Sequence, residues 1–380
     1  MGITVATTPG ELTALAARWD ALAVDSPHAS RPLFTLVLQT LDDRGRPHVL
    51  LIEDEGRDPI LVVARVEHRP FRVRAGYRTL FTAPARWLVV VAGGVVGARS
   101  DEDHRLVLRA LEAGLRRGDA DILQLSKVPV GSPLHRAAAQ HRRVSAPAPQ
   151  THHTSDLSGG FDALVARKSK RTRLRIRKRL QRLGDAEAKV GVRRVGADDE
   201  VADVVRTLDA ITAHSYQRGI GVGFADDALH RAFIRWAIDG EPYRIWLLSL
   251  DGTPVAHLSG LIHARTFHLF DTAFDGAHAE EEPGSLLLTR VLQELAGDPE
   301  VDAFDYGYGD ALYKQQMSDR SWDETDLLLF ATRPRALTLN LLNTGATAAV
   351  RLGKRVLGGQ RVAALRRRER AQATNPAGHA

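Results

Sequence analysis

Cysteine is absent from this 380-residue chain, which excludes a disulfide framework, thiolate catalysis and cysteine-ligated zinc. Long apolar runs are absent too. No window approaches the length of a membrane span, and the first residues lack the basic-then-apolar layout of an export signal, so a cytoplasmic protein is expected. Phosphate-loop spacing is missing as well. The cluster Gly93-Gly94…Gly97 has neither the GxGxxG pattern nor a Walker lysine, and reads as a turn. His152 and His153 are adjacent, with His141 nearby, yet no carboxylate or third ligand stands at zinc spacing. No metal is expected.

Acidic residues are missing from two places in particular. Arg167 to Arg182 holds ten basic residues and no acidic one, and Arg351 to Arg370 holds eight basic and one acidic. Subtracting those +10 and +7 from the net +6 leaves −11 for everything else. The chain is thus an acidic body with two basic segments. No aromatic residue interleaves the first segment, so stacking on single-stranded bases is not expected. Two readings of it stay open, a solvated helix packed between domains or a basic wall facing an anionic ligand. The second segment belongs to a tail, 334–380, read either as a poorly ordered end or as a basic helix resting on anionic lipid at the inner face of the membrane.

The length allows two domains. In the first, 1–145, residues 9–24 and 33–41 predict helices. Apolar runs at 48–53, 60–66, 78–82 and 87–91 predict strands, Asp101 or Asp103 can cap a helix to Arg117, Asp121 to Lys127 is strand-like, and Ser132-Pro133 opens another helix. Residues 146–160 are rich in Pro, Ser and Gly and are taken as a linker. The second domain, 161–333, reads as a basic helix, then strand, two helices, three strands, helix, strand, helix and strand. Asp251-Gly252-Thr253 makes a hairpin turn within it.

The most informative stretch is 283–314. Pro283 suits a helix start, Leu287, Val291 and Leu295 recur at helical spacing, and Gly297 suits the stop. A short strand to Tyr306 follows, broken by Gly307 and Gly309, and a second helix opens near Asp310. A helix N-terminus offers unpaired amides and the positive dipole end to an anion.

This arrangement resembles the acyl-donor half of the GNAT acyltransferase superfamily, and the phrase Phe304-Asp-Tyr-Gly-Tyr-Gly-Asp310…Tyr313-Lys314 is similar to its CelD-type branch and distantly to Fem aminoacyl transferases. The resemblance implies an α/β (α+β) fold of two tandem GNAT-like domains with mixed, mostly antiparallel sheets, the first one degenerate. It implies acetyl-CoA or another acyl-CoA as donor, with Pro283, Gly284, Ser285 and Leu286 cradling the pyrophosphate. The pantetheine arm would lie between strands 266–274 and 301–306, placing Asp271, Asp305 and Tyr313 at the cleft. Tyr313 would protonate the leaving thiolate and Asp305 would serve as base or anchor, its pKa raised by burial unless a partner stands beside it. Lys314, Asp310 and His257 complete the substrate-binding candidates, with Asp310 also a helix cap and His257 also a core histidine. Glu280, Glu281 and Glu282 depart from the family pattern, since three carboxylates beside a pyrophosphate repel it unless they point away. The implied activity is transfer of an acyl group to an amine or hydroxyl of a small molecule or glycan precursor. Fem-like transfer from charged tRNA, the one case in which nucleic acid would bind, and a non-catalytic ligand-binding module are the alternatives.

Overall fold

The computed structural model describes residues 2–75, 78–141, 143–185, 189–213, 215, 223–309 and 311–357. The chain divides into two compact units. One holds residues 1–24, 28–149 and 325–380, the other 25–27 and 150–324.

The first unit begins with strand β1 (Gly2–Ala6) and helix α1 (Pro9–Asp20). Thr8 and Glu11 form a reciprocal capping box at the start of α1, which explains its sharp beginning. Helix α2 (Arg31–Leu41) follows, then β2 (Gly45–Pro47), β3 (Val49–Glu53), β4 (Ile60–Ala75) and β5 (Arg78–Val96). The expected strands at 78–82 and 87–91 are one, because Pro84 does not break the ladder. It stands opposite Pro70 on a single rung, so the two missing N–H groups weaken the pairing at one place only. Helix α3 (Asp101–Arg117) is capped by Ser100 and not by the expected Asp101 or Asp103, and Asp103 closes the box at its third position. Strand β6 (Ile122–Pro129) then pairs parallel with β5, and α4 (Pro133–Ala139) and β7 (Val144–Ser145) complete the run. The sheet order is β1, β3, β4, β5, β6 and residues 325–330. The expected tail is not all tail. Pro334–Leu357 is a helix, with Ala336 and Leu339 buried and Arg335 bonded to the Pro84 carbonyl.

The second unit opens inside the expected linker. Gln150–Asp156 is strand β8, and His152 and His153 on it are buried rather than solvated. Helices α5 (Gly160–Ala166) and α6 (Lys170–Asp185) follow, the latter carrying most of the basic segment. Among the described residues of α6 only Thr172 and Ile176 are buried, so the arginines stay near the surface while one face packs. Then come β9 (Val190–Arg194), α7 (Val201–Ala213), α8 (Ala228–Ile238), β10 (Tyr243–Leu250), β11 (Thr253–His263) and β12 (Thr266–Phe274). Helix α9 (Pro283–Leu295), β13 (Ala303–Tyr308), α10 (Leu312–Met317) and β14 (Arg320–Phe330) finish the run. Residues 320–324 of β14 lie in this unit, and the sheet order from there is β8, β13, β12, β11, β10, β9. From β9 onward the element order is the expected one, whereas β8 and the division of the basic stretch into α5 and α6 were not expected. Each unit is mixed α/β, and the pairings whose register is given are antiparallel except β5–β6 and β12–β13.

Helix α9 anchors the second core. Leu286, Leu287, Val291, Leu292 and Leu295 are fully buried against Trp246, Leu258, Phe267, Phe304 and Tyr306 of the sheet. Each such leucine contributes about 1.5–3 kcal/mol of burial. Because side chains alternate across a strand, the residues between those sheet positions, His257, His268 and Asp305, stand on the face turned away from α9.

Candidate active site

The geometry of the site follows from where two strands part. β12 and β13 pair in parallel over three rungs only, Thr266↔Ala303, Phe267↔Phe304 and His268↔Asp305. Beyond His268, β12 runs six residues further, to Phe274, with no described rung to β13. A register shift between Ser259 and Gly260 leaves Phe270 as an extra residue opposite β11, so the side chains are re-aimed just where the strands separate.

A cavity of about 220 Å³ fills the gap. Leu269, Thr272, Ala273 and Phe274 of β12 form one wall, Gly284, Ser285 and Leu288 of α9 another, and Tyr313 of α10 stands beside them. Two of the four expected donor-binding residues, Gly284 and Ser285, therefore line it. Pro283 and Leu286 are buried beneath. Gly284 approaches closely, since a Cβ there would stand 3.2 Å from the Phe274 ring. Pro283 carries no N–H, and the amides of Ser285 and Leu286 already donate to the Glu282 carbonyl. The Gly284 N–H is what the first turn still offers to an anion.

The acidic triplet is directed away from this wall. Glu282 caps the helix in left-handed backbone (φ 51°) without a side-chain cap bond, and its carboxylate stands 3.4 Å from Arg179 of the basic helix. Glu280 is exposed, and Glu281 lines a separate polar hollow with Arg182, Lys189 and His278. Arg179 of the basic helix thus stands against one of the three charges beside the start of α9.

Tyr313 keeps its proton tightly. Burial, helped by the negative charge of Asp271, pushes its phenol up to about 12. Asp271 also lies 3.7 Å from Nε2 of His257. Neither ring nitrogen of His257 has a hydrogen-bond partner among the described residues, and burial, partly offset by Asp271, lowers its pKa. His257 is a neutral core histidine. The Lys314 ammonium donates to the Tyr308 carbonyl across the Gly307–Gly309 turn, which makes it a brace for that turn. Asp310 lies outside the described residues.

Asp305 has the partners that sequence alone left open. Its Oδ1 accepts from His152 Nε2 at 2.6 Å and from the Gly307 N–H at 2.7 Å, and its Oδ2 accepts from His268 Nδ1 at 3.0 Å. Burial would raise its pKa, but the bonds from His152 and His268 outweigh it and hold the carboxyl well below the usual range. His152 reaches the other way through Nδ1 to Glu324 Oε2 at 3.0 Å. Its ring stacks on Trp322 at 4.5 Å, and the Trp322 indole N–H donates to the second Glu324 oxygen at 2.7 Å. Burial would lower the His152 pKa. The hydrogen bonds and charges of Asp305 and Glu324 prevail and raise it to about 9. His152, His268 and Glu324 are functional candidates that sequence reasoning did not reach.

Residues 170–315 match the family described as "Acetyltransferase (GNAT) domain". No curated protein sequence matches the chain. Among solved structures, FemX aligns at TM-score 0.59 with 9% identity, covering 90% of this chain and 100% of that one. A conserved protein of unknown function from Bacteroides thetaiotaomicron VPI-5482 aligns at 0.52 with 13% identity, covering 86% and 100%. At such identities the likeness is one of fold, and it does not single out the CelD-type branch. The family match is to residues 170–315 of the 380, and it describes that stretch and not the whole chain.

Proposed function

We propose that the protein is an acyltransferase that moves an acyl group, acetyl in the simplest case, from acyl-CoA to an amine or hydroxyl of a small-molecule or glycan-precursor acceptor. The observation that carries this reading is the cavity in the strand gap. Its lining of Leu258, Leu269, Ala273, Phe274 and Leu288 suits the apolar part of a thioester arm, and Gly284 offers its amide at one edge. Attack of the acceptor on the thioester carbon forms the new C–N or C–O bond, breaks the C–S bond and leaves a thiolate. A phenol at about 12 does not surrender its proton to a thiolate whose pKa is roughly 8 to 9. Tyr313 therefore acts by donating a hydrogen bond to the sulfur as negative charge develops there.

Thermal shift with CoA, followed by thiol release from acetyl-CoA in the presence of candidate acceptors, tests the reading. Stabilisation by excess CoA supports it. Absence of both stabilisation and thiol release overturns it. Salt-sensitive tRNA binding would then point to the Fem-like alternative, and no response to either ligand to a binding module.

A further inference from the structure

A chain of four titratable side chains runs along the sheet face turned away from α9, in the order Glu324, His152, Asp305, His268. Its chemistry follows from which atoms can donate. Both nitrogens of His152 lie on carboxylate oxygens, which only accept, so both carry protons and the ring is an imidazolium. His268 differs. Its Nδ1 donates to Asp305, so in the neutral ring Nε2 carries the lone pair. That Nε2 is buried and has no hydrogen-bond partner among the described residues. A buried acceptor left open calls for an explanation, and one place where it is useful is a reaction centre.

Position supplies the rest. His268 holds the last rung between β12 and β13, and the next residue, Leu269, is the first of β12 to line the cavity. His268 thus occupies the rung at which the gap opens, with its imidazole on the sheet face opposite the donor-side helix. The groups that face it are Asp305 across the rung and, behind Asp305, His152 and Glu324, while β11 sets Leu261 opposite it. Asp305 holds the ring from its Nδ1 side, and the Nε2 lone pair is left to accept.

We infer that His268 is the general base that removes the acceptor's proton, with Asp305 fixing its tautomer and His152 and Glu324 holding Asp305 in place. This rests on the acyl-transfer reading above. The proton of the attacking N–H or O–H passes to Nε2, the acyl carbon bonds to nitrogen or oxygen, and the thiolate leaves beside Tyr313. His268 then returns its proton to solvent or to the departing thiolate. His152 and Glu324 are positioning residues, since they touch Asp305 and not the acceptor.

The test uses the full chain, acetyl-CoA as donor, and ethanolamine (an amine and a hydroxyl in one small molecule) as acceptor, reading thiol release. His268→Asn keeps a donor toward Asp305 and removes the base. Its kcat should fall by about 10²–10⁴-fold with the KM for acetyl-CoA little changed, and the acidic limb of the pH–rate profile should vanish. His152→Gln leaves the base in place and loosens Asp305, so it should lower kcat by less than His268→Asn does, with the KM for acetyl-CoA unchanged. CoA stabilisation of each variant verifies that the donor side is folded. Nitrogen NMR of the wild-type ring should show Nδ1 protonated and Nε2 bare. Wild-type protein that neither binds CoA nor releases thiol overturns the acyl-transfer reading and this assignment with it. Normal CoA binding and turnover, with His268→Asn as fast as wild type or with the opposite tautomer in the NMR, overturns this assignment alone.

Discussion

Replacing His152 with glutamine should erase a pH dependence of stability that the wild-type protein carries above neutrality. The folded pKa of about 9 stands above the ordinary 6.5, so the folded state holds a proton that the unfolded state has released. A raised histidine pKa stabilises fully below about 6.5, loses its contribution steadily as pH rises, and has none above about 9. At about 1.36 kcal/mol per unit, the 2.5-unit separation gives roughly 3 kcal/mol. The lowered pKa of Asp305 reports the same contact from its other side and is not added again. Glutamine has one donor group where two carboxylates need one each, so at pH 6 the variant should be less stable by about 3–5 kcal/mol, the usual effect of breaking a buried pair. The measurement is urea unfolding of wild type and variant between pH 6 and 10, read by hydrogen exchange of amides in β8 and β13 to isolate this unit. Taking the difference between the proteins cancels every other titrating group. That difference should shrink by about 3 kcal/mol across the range. A constant difference would refute the charged-His152 reasoning, since a packing role does not titrate.

Tyr313→Phe keeps the ring against the Tyr306 edge and removes only the hydroxyl, so kcat for acyl transfer should fall by about 10²-fold, the size of one lost transition-state hydrogen bond, with donor KM nearly unchanged. Equal turnover would reduce Tyr313 to a packing residue. Lys168→Met removes the buried cation bonded to Asp319 and leaves that carboxylate to Arg167; chemical denaturation should show a loss of about 3 kcal/mol, and a neutral result would mean that Arg167 suffices. Removing 358–380 deletes Arg361, Arg366, Arg367, Arg368 and Arg370 without touching the packed helix Pro334–Leu357. If those arginines hold the protein to anionic membranes, co-sedimentation with phosphatidylserine vesicles should drop in the truncated protein, and equal sedimentation would dispose of the idea.

Much of the fold could be read because its periodicities are strong. Helix α9 announces itself by Pro283, leucines at helical spacing and Gly297, and the order of elements around it follows from short apolar strands with clear turns. The Gly307–Gly309 break and Tyr313 were visible for the same reason, and Asp305 stood out as a carboxylate in a strand. What escaped was whatever depended on distant partners. His152 lies in a stretch where Pro, Ser and Gly suggest a linker, and its two carboxylate partners come 153 and 172 residues later. Thr151 and Thr154, β-branched residues flanking the two histidines, were the one local hint of a strand. His268 looks like any polar residue in an alternating strand. Only the parallel rung to Asp305, 37 residues on, gives its nitrogens distinct roles.

The two units set one plan to different ends, and the contrast argues for where chemistry belongs. In each, a helix connects two strands that pair in parallel, α3 between β5 and β6 and α9 between β12 and β13. The N-terminus of α3 is closed. Ser100 and Asp103 satisfy its first amides, and Asp101, Glu102 and Asp103 meet the positive dipole end with negative charge. β5 and β6 pair over four rungs, from Trp87↔Ile122 to Val90↔Leu125. At α9 the side-chain cap is missing, which forgoes about 1 kcal/mol, and the strands part after three rungs. An uncapped helix start, a left-handed glutamate and an open strand edge each weaken a fold. They gather around one cavity, with Tyr313 in its wall and Leu269, the residue after His268, opening its β12 side, and a ligand bound there would offset that loss.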